Sequence, residues 1–93
     1  MARHLSLDGF TRTKTDDLII SKNMESLFKS PTGEAVLQYL RSITIEAVSG
    51  PNISSEELRH LEGQRYLVGL IERRIKQSEK AKDVGSGSTS NSE

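Results

Sequence analysis

The chain has 93 residues, with 13 basic and 13 acidic side chains, so its zero formal charge gives no support to general polyanion binding. It lacks cysteine, which excludes disulfide frameworks, thiolate zinc sites and cysteine nucleophiles. Apolar residues make up 33% of the chain and aromatic residues 4%, and no apolar run has the length of a membrane span or a signal peptide. We expect a small soluble protein, made in the cytoplasm, whose core a partner completes.

The first stretch of the chain, residues 1–14, shows neither helical nor strand periodicity over a useful length. It mixes basic side chains with hydroxyl residues and Gly9. A segment of this kind has no apolar face of its own to pack. We therefore predict a flexible N-terminal arm that is mobile or becomes ordered on a partner.

A leading helix is predicted for residues 16–29. Thr15 can cap its N-terminus, and the two aspartates that follow suit the positive end of a helix dipole. Apolar side chains then keep one helical face at Ile20, Met24, Leu27 and Phe28. A short strand over residues 18–21 is the alternative, since two isoleucines adjoin there, but the longer helical pattern favours the helix.

A second helix is predicted for residues 31–48, because proline disfavours helix in the residue before it and suits the first helical position. Its apolar face consists of Val36, Leu40, Ile43 and Ala47, with Leu37 and Thr44 beside them. Residues 43–48 also alternate in the manner of a strand. We reject that alternative because an isolated strand would have no evident partner.

A third helix is predicted for residues 55–82, and the rest of the fold depends on it. Ser54 and Glu57 form a capping box at its start. Apolar side chains then recur at helical spacing at Leu58, Leu61, Val68, Ile71 and Ile75. Residues 84–93, rich in serine and glycine, are predicted to be a disordered tail.

These elements predict an all-α fold. The short turn between the second and third helices implies an antiparallel helical hairpin, and the leading helix packs beside it, giving one helical domain over residues 15–83. The third helix is the longer arm of the hairpin, so its distal end is expected to project beyond the second helix.

The third helix carries more apolar surface than one hairpin contact can cover. Its second side is predicted to be a protein interface, through which the chain associates with itself or with other proteins. A buried amide in that stripe needs a hydrogen-bond partner. The competing interpretation is that these are ordinary exposed apolar residues, which are common. The predicted interface residues are Tyr66, Leu67, Leu70, Ile71 and Gln64.

The sequence contains no recognisable catalytic or metal-binding constellation. His4 and His60 have neither helical spacing nor carboxylate company, and the adjacent acids at 16–17 and 56–57 suit first helical turns. We expect no enzyme activity, no metal, no cofactor and no small-molecule substrate. Nucleic-acid binding is the alternative function, because cations gather at the end of the third helix. These are Arg73, Arg74, Lys76, Lys80 and Lys82.

Two segments carry a resemblance to a known group of proteins. They are residues 27–37, LFKSPTGEAVL, and residues 61–68, LEGQRYLV, followed by Ile71 and Ile75. The pattern resembles small helical proteins encoded among the head and tail genes of tailed bacteriophages. The resemblance implies a virion structural or assembly protein that self-associates or docks on a larger virion ring, and it supplies no catalytic residue.

Overall fold

The computed structural model describes residues 2–47 and 50–91, with side chains described as far as residue 82. The protein is mostly helical, as predicted, but the all-α fold class is wrong at the N-terminus, where two strands form a small antiparallel sheet. The elements in chain order are β1 (Arg3–Leu5), β2 (Thr11–Thr13), α1 (Lys14–Phe28), α2 (Pro31–Ser42) and α3 (Ser55–Asn91).

The predicted N-terminal arm is a β-hairpin. His4 pairs with Arg12 in its register, and Gly9 takes a φ of 87° in the connecting turn. Asp8 Oδ1 accepts a hydrogen bond from the Phe10 N–H at 3.0 Å, which closes the turn. Asp-Gly is a strong hairpin signal, but the strands have only three residues each, too few to show a periodicity.

The corner between α1 and α2 follows its local sequence. Pro31 occupies the first turn of α2, as predicted. Ser30 is the N-cap, and its Oγ accepts from the Gly33 N–H at 3.0 Å. Gly33 is buried, and a Cβ added there would lie 1.9 Å from the main-chain oxygen of Leu27. The two helices can therefore approach this closely only with glycine at the corner. The strand alternative for residues 18–21 is excluded, since they lie inside α1.

Two helix boundaries differ from the prediction at their local caps. The N-cap of α1 is Thr13, whose Oγ1 accepts from the Asp16 N–H at 3.1 Å, so the helix begins before the predicted cap at Thr15. α2 ends at Ser42, whereas the prediction continued it to residue 48, which lies outside the described residues. The β-branched run that begins at Ile43 forms turns instead, because such side chains lose rotamer freedom in a helix.

The covered face of α2 is also displaced from the predicted one. The side chains of Leu37, Leu40 and Thr44 are buried or half-buried, while Val36 and Ile43, which were predicted to face inward, are exposed. Of the four residues of the predicted face, Leu40 and Ala47 are half-buried. Tyr39 lies in the exposed stripe between Val36 and Ile43.

α3 begins where predicted and forms the spine of the molecule. Ser54 Oγ accepts from the Glu57 N–H at 3.1 Å. The helix has 37 residues, a length of about 55 Å, and the molecule measures 59 Å along its longest axis. The backbone remains helical to Asn91, beyond the predicted end at residue 82, since extending a formed helix costs far less than nucleating one. Residues 92 and 93 of the predicted tail lie outside the described residues.

α3 lies antiparallel to α2, as the predicted hairpin requires, and parallel to α1. Arg41 near the end of α2 pairs with Glu72, and Asp17 near the start of α1 pairs with Arg74. The distal part of α3 packs along α1 over the length of that helix. The apolar core is small, because Val68 and Ile75 are the only buried hydrophobic side chains among those described and the other inward-facing apolar side chains are half-buried.

Candidate interaction surface on the long helix

α1 and α3 meet through polar side chains. The contacting residues on each helix are four positions apart, so each set lies on one helical face. They are connected in parallel order along the two helices by ion pairs and hydrogen bonds. We call these six residues the polar seam: Asp17, Ser21 and Glu25 on α1, and Arg74, Ser78 and Lys82 on α3.

Arg74 is at the centre of the polar seam, and only 2% of it is exposed. Its Nη1 group donates to a carboxylate oxygen of Asp17, to the main-chain oxygen of the same residue at 3.1 Å and to Ser21 Oγ at 3.2 Å. Its Nη2 group donates to Ser6 Oγ at 3.1 Å and pairs with Asp8 Oδ2 at 3.0 Å. One buried guanidinium therefore ties the β-hairpin, α1 and α3 together.

The carboxylates around Arg74 are strongly held in their ionised form. Burial by itself raises the pKa of Asp17, but hydrogen bonds from Ser6 and Arg74 outweigh it and hold this pKa well below its ordinary value. The hydrogen bond from Arg12 is the largest influence on Asp8, and it lowers the pKa of Asp8 from 3.8 to about 2. Every buried polar side-chain atom among the described residues has a hydrogen-bond partner.

The distal half of the seam is a second, more exposed set of contacts. Ser78 Oγ donates to Glu25 Oε1 at 2.7 Å, and Lys82 Nζ lies 3.1 Å from the same oxygen. These two hydrogen bonds lower the pKa of Glu25. Lys29 and Glu79 form a further ion pair beside them. The ion pairs thus follow α1 to its C-terminal end.

Because polar groups occupy the interior, large apolar side chains lie on the outside. Ten of those described are exposed, two are buried and the others are half-buried. They occur on the hairpin and on every helix, so they do not form one stripe. They are Leu5, Phe10, Ile19, Leu27, Val36, Tyr39, Ile43, Leu58, Tyr66 and Leu67.

The predicted interface residues divide between two sides of α3. Tyr66 is 53% exposed and Leu67 is 58% exposed, while Leu70 and Ile71 are half-buried. At about 100° per residue, Leu67 and Ile71 face the polar seam, whereas Leu70 lies about 80° and Tyr66 about 120° from the direction of the seam. The five residues therefore do not form a single surface.

Gln64, predicted to lie in the apolar stripe with a buried partner, is exposed and makes no hydrogen bond to the side chains described. Its neighbour Arg65 has the contacts instead. The Arg65 side chain donates to the main-chain oxygen of Thr44 at 2.9 Å and to that of Ala47 at 2.8 Å. This arginine ties the connection after α2 to α3.

The five predicted nucleic-acid contacts are also divided. Arg74 is buried in the polar seam, which removes it from any surface, and Lys82 is paired with Glu25. Arg73, Lys76 and Lys80 are exposed, and none of the three has an ion pair with another described residue. Their spacing of three and four places them in one stripe on α3.

The remaining polar groups follow the fold. His4 Nε2 lies 3.1 Å from Asp17 Oδ2, and His60 is exposed. No three histidine or acidic side chains among the described residues are grouped to hold a metal ion, and no helix in the described ranges has the length and apolar character of a membrane span. A groove of about 410 Å³ between α2 and α3 has the paired side chains of Arg41 and Glu72 in its wall.

Comparison with known proteins identifies a family for the chain. A family model described as Bbp19-like phage protein matches residues 24–83, which is more than half of the chain. Searches of curated proteins and of solved structures gave no match. The matched region includes α2 and α3 up to residue 83, whereas the β-hairpin and Asp17 lie before it. The resemblance to phage proteins is thereby confirmed, and the chain belongs to the Bbp19-like phage protein family.

Proposed function

We propose that this phage protein is a non-enzymatic structural or assembly component of the virion, which acts by docking on further copies of itself or on other virion proteins. The observation that carries the proposal is the inversion of polarity: Arg74 is buried, while Tyr66 and Leu67 are more than half exposed. Full burial of such an apolar side chain contributes about 1.5–3 kcal/mol. Assembly supplies the cover that the chain itself does not.

The polar groups near the centre support a structural role over a catalytic one. Asp8 and Asp17 are ionised far below neutral pH because Arg12, Ser6 and Arg74 bind them. A general acid or base has a pKa near the working pH. These carboxylates therefore hold elements together, and the surface of α3 is left for partners.

Mass spectrometry of purified virions, from the phage that encodes the chain, tests the proposal. If the protein is a structural component, we expect it in the virion at a fixed copy number per particle. If it is an assembly factor, we expect deletion of its gene to lower the yield of complete particles. The control is a phage protein of similar abundance in infected cells that is not packaged. Absence from the virion, together with normal particle yield after deletion, would contradict the proposal.

Phosphate binding is the second candidate, and the stripe of Arg73, Lys76 and Lys80 favours it. Three contacts to duplex DNA give a slope of about −2.7 in a plot of log affinity against log salt concentration. DNA retention measured across a salt series, with Lys76→Glu/Lys80→Glu as the variant and Lys22→Glu on α1 as the control, tests it. Retention that is absent at the lowest salt concentration eliminates this candidate.

A further inference from the structure

One face in the middle of α3 is not packed against α1 or α2 in the part of the chain that the structure describes. Its members lie within an arc of about 120° around the helix axis, and each is exposed or half-buried. α1 and α2 contact other sides of α3, through Arg74 and Glu72 respectively. We call this surface the open face; it consists of Glu62, Gly63, Tyr66, Gly69, Leu70 and Arg73.

No described atom of the subunit packs closely against the two glycines of the open face. A Cβ added at Gly63 or at Gly69 would meet no atom within 4 Å, and neither residue has a positive φ. Glycine in a helix interior is less stable than alanine by about 1 kcal/mol. The close approach of another helix would use the missing side chains.

The charges at the two ends of the open face are complementary to each other. Glu62 and Arg73 lie within about 20° of each other around the axis and about 16 Å apart along it. Neither has an ion pair with another described residue, although the guanidinium of Arg73 lies 5.5 Å from the ring centre of Tyr66. An acid at one end and a cation at the other make the face complementary to a reversed copy of itself.

We propose that two copies of the chain associate through their open faces, with the α3 helices antiparallel about a two-fold axis near residues 67 and 68. This inference rests on the proposed function and names its partner as a second copy. Glu62 then faces Arg73 of the second copy, twice by symmetry, and Tyr66 and Leu70 lie at the centre. A parallel pairing would oppose Glu62 to Glu62 and Arg73 to Arg73, which is repulsive.

A charge exchange tests the pairing directly. Sedimentation equilibrium of the full chain measures the dimer dissociation constant. Glu62→Arg and Arg73→Glu are each expected to raise it at least about tenfold, because each opposes like charges. The double variant Glu62→Arg/Arg73→Glu restores complementarity and is expected to return it to within about threefold of the wild type. Lys22→Glu, an exposed charge reversal on α1, is the matched control.

Substitution of a glycine supplies a second readout, in which stability and association change in opposite directions. Gly69→Ala is expected to raise the melting temperature of the dilute monomer, because alanine favours helix, and to raise the dimer dissociation constant severalfold, because its methyl group separates the two helices. If Gly69 lay outside the interface, Gly69→Ala would raise the melting temperature and leave the dimer dissociation constant unchanged.

Three results would overturn the inference: a double variant no tighter than the single ones, a Gly69→Ala variant that associates more tightly, or a wild-type chain that stays monomeric at its highest soluble concentration. The proposed function has its own test in virion composition. If the protein is present in virions but its dimer dissociation constant does not respond to the charge exchange, the antiparallel pair is contradicted and the proposed function is not.

Discussion

The polar seam and the open face lie on the same helix, but the seam buries a charged side chain whereas the open face leaves an aromatic one exposed. At the seam, α3 buries Arg74 against α1, and both of its Nη groups donate hydrogen bonds. At the open face, α3 leaves Tyr66 in solvent and keeps glycine at two positions where a side chain would fit. The difference indicates that directional polar contacts hold the subunit together, and we propose that the exposed apolar side chains serve assembly.

Removing the central guanidinium should give the largest effect. Arg74→Met leaves Asp17 buried without its partner, and we expect the free energy of unfolding to fall by about 3–5 kcal/mol. Arg73→Met, at the exposed neighbouring position, should change it by less than about 0.5 kcal/mol. Urea denaturation followed by circular dichroism measures both variants in parallel.

A double variant sharpens this prediction and remains informative if Arg74→Met fails to fold. Replacing both partners, as Asp17→Leu/Arg74→Met, removes the unpaired charge together with the ion pair, so much of the lost stability should return. If the single variant were as stable as the wild type, the seam would not be what holds α1 against α3.

Acid should have the second-largest effect, because it weakens the polar seam. The pKa of Asp8 is lowered from 3.8 to about 2, and that of Asp17 is lowered further. A carboxylate whose pKa is lower in the folded state stabilises fully above its unfolded value, and this contribution is lost as the pH falls through the folded value. The urea midpoint should therefore be steady from pH 7 to about 5 and fall below about pH 4. The fall should be shallower in Asp17→Asn, and an equal fall in that variant would contradict the assignment.

The N-terminal part of α3 is joined to the chain after α2 by fewer polar contacts, those of Arg65. Arg65→Ala removes two hydrogen bonds to main-chain oxygens after α2, and we expect a loss of about 1–3 kcal/mol. Gln64→Ala, at the exposed adjacent position, should change the midpoint by less than about 0.5 kcal/mol. Equal effects of the two substitutions would show that the attachment does not stabilise the subunit.

Features set by neighbouring residues could be predicted from the sequence. The cap at Ser54 and the corner at Ser30 and Pro31 depend on contacts within four residues, and the structure confirms both. The hairpin also had a local signal in Asp8 and Gly9, although its strands are too short to show a pattern. The predicted helix ends were less accurate where β-branched residues contact a distant part of the chain. Thr44 is an example, because its main-chain oxygen accepts a hydrogen bond from Arg65.

The polar seam could not be predicted because its partners are far apart in the chain. Arg74 and Asp17 are 57 residues apart, and each has an ordinary local explanation, as a cation near a helix end or an acid in a first turn. Apolar periodicity predicted that Ile20 and Met24 lie on the covered face of α1, whereas Asp17 and Ser21 are the most buried residues of this helix. The spacing of four between Asp17, Ser21 and Glu25 was the available signal.

The central claim is that the subunit is stable without its exposed apolar side chains, which serve association. Tyr66→Asp tests it most directly, because Tyr66 is 53% exposed. Molar mass is measured by light scattering over a range of concentrations, and the urea midpoint is measured where both proteins are dilute enough to be monomeric. We expect the wild type to associate with rising concentration, and Tyr66→Asp to remain monomeric with unchanged helix content and an unchanged monomer midpoint. A variant that loses stability as well as association, or a wild type that never associates, would contradict the claim.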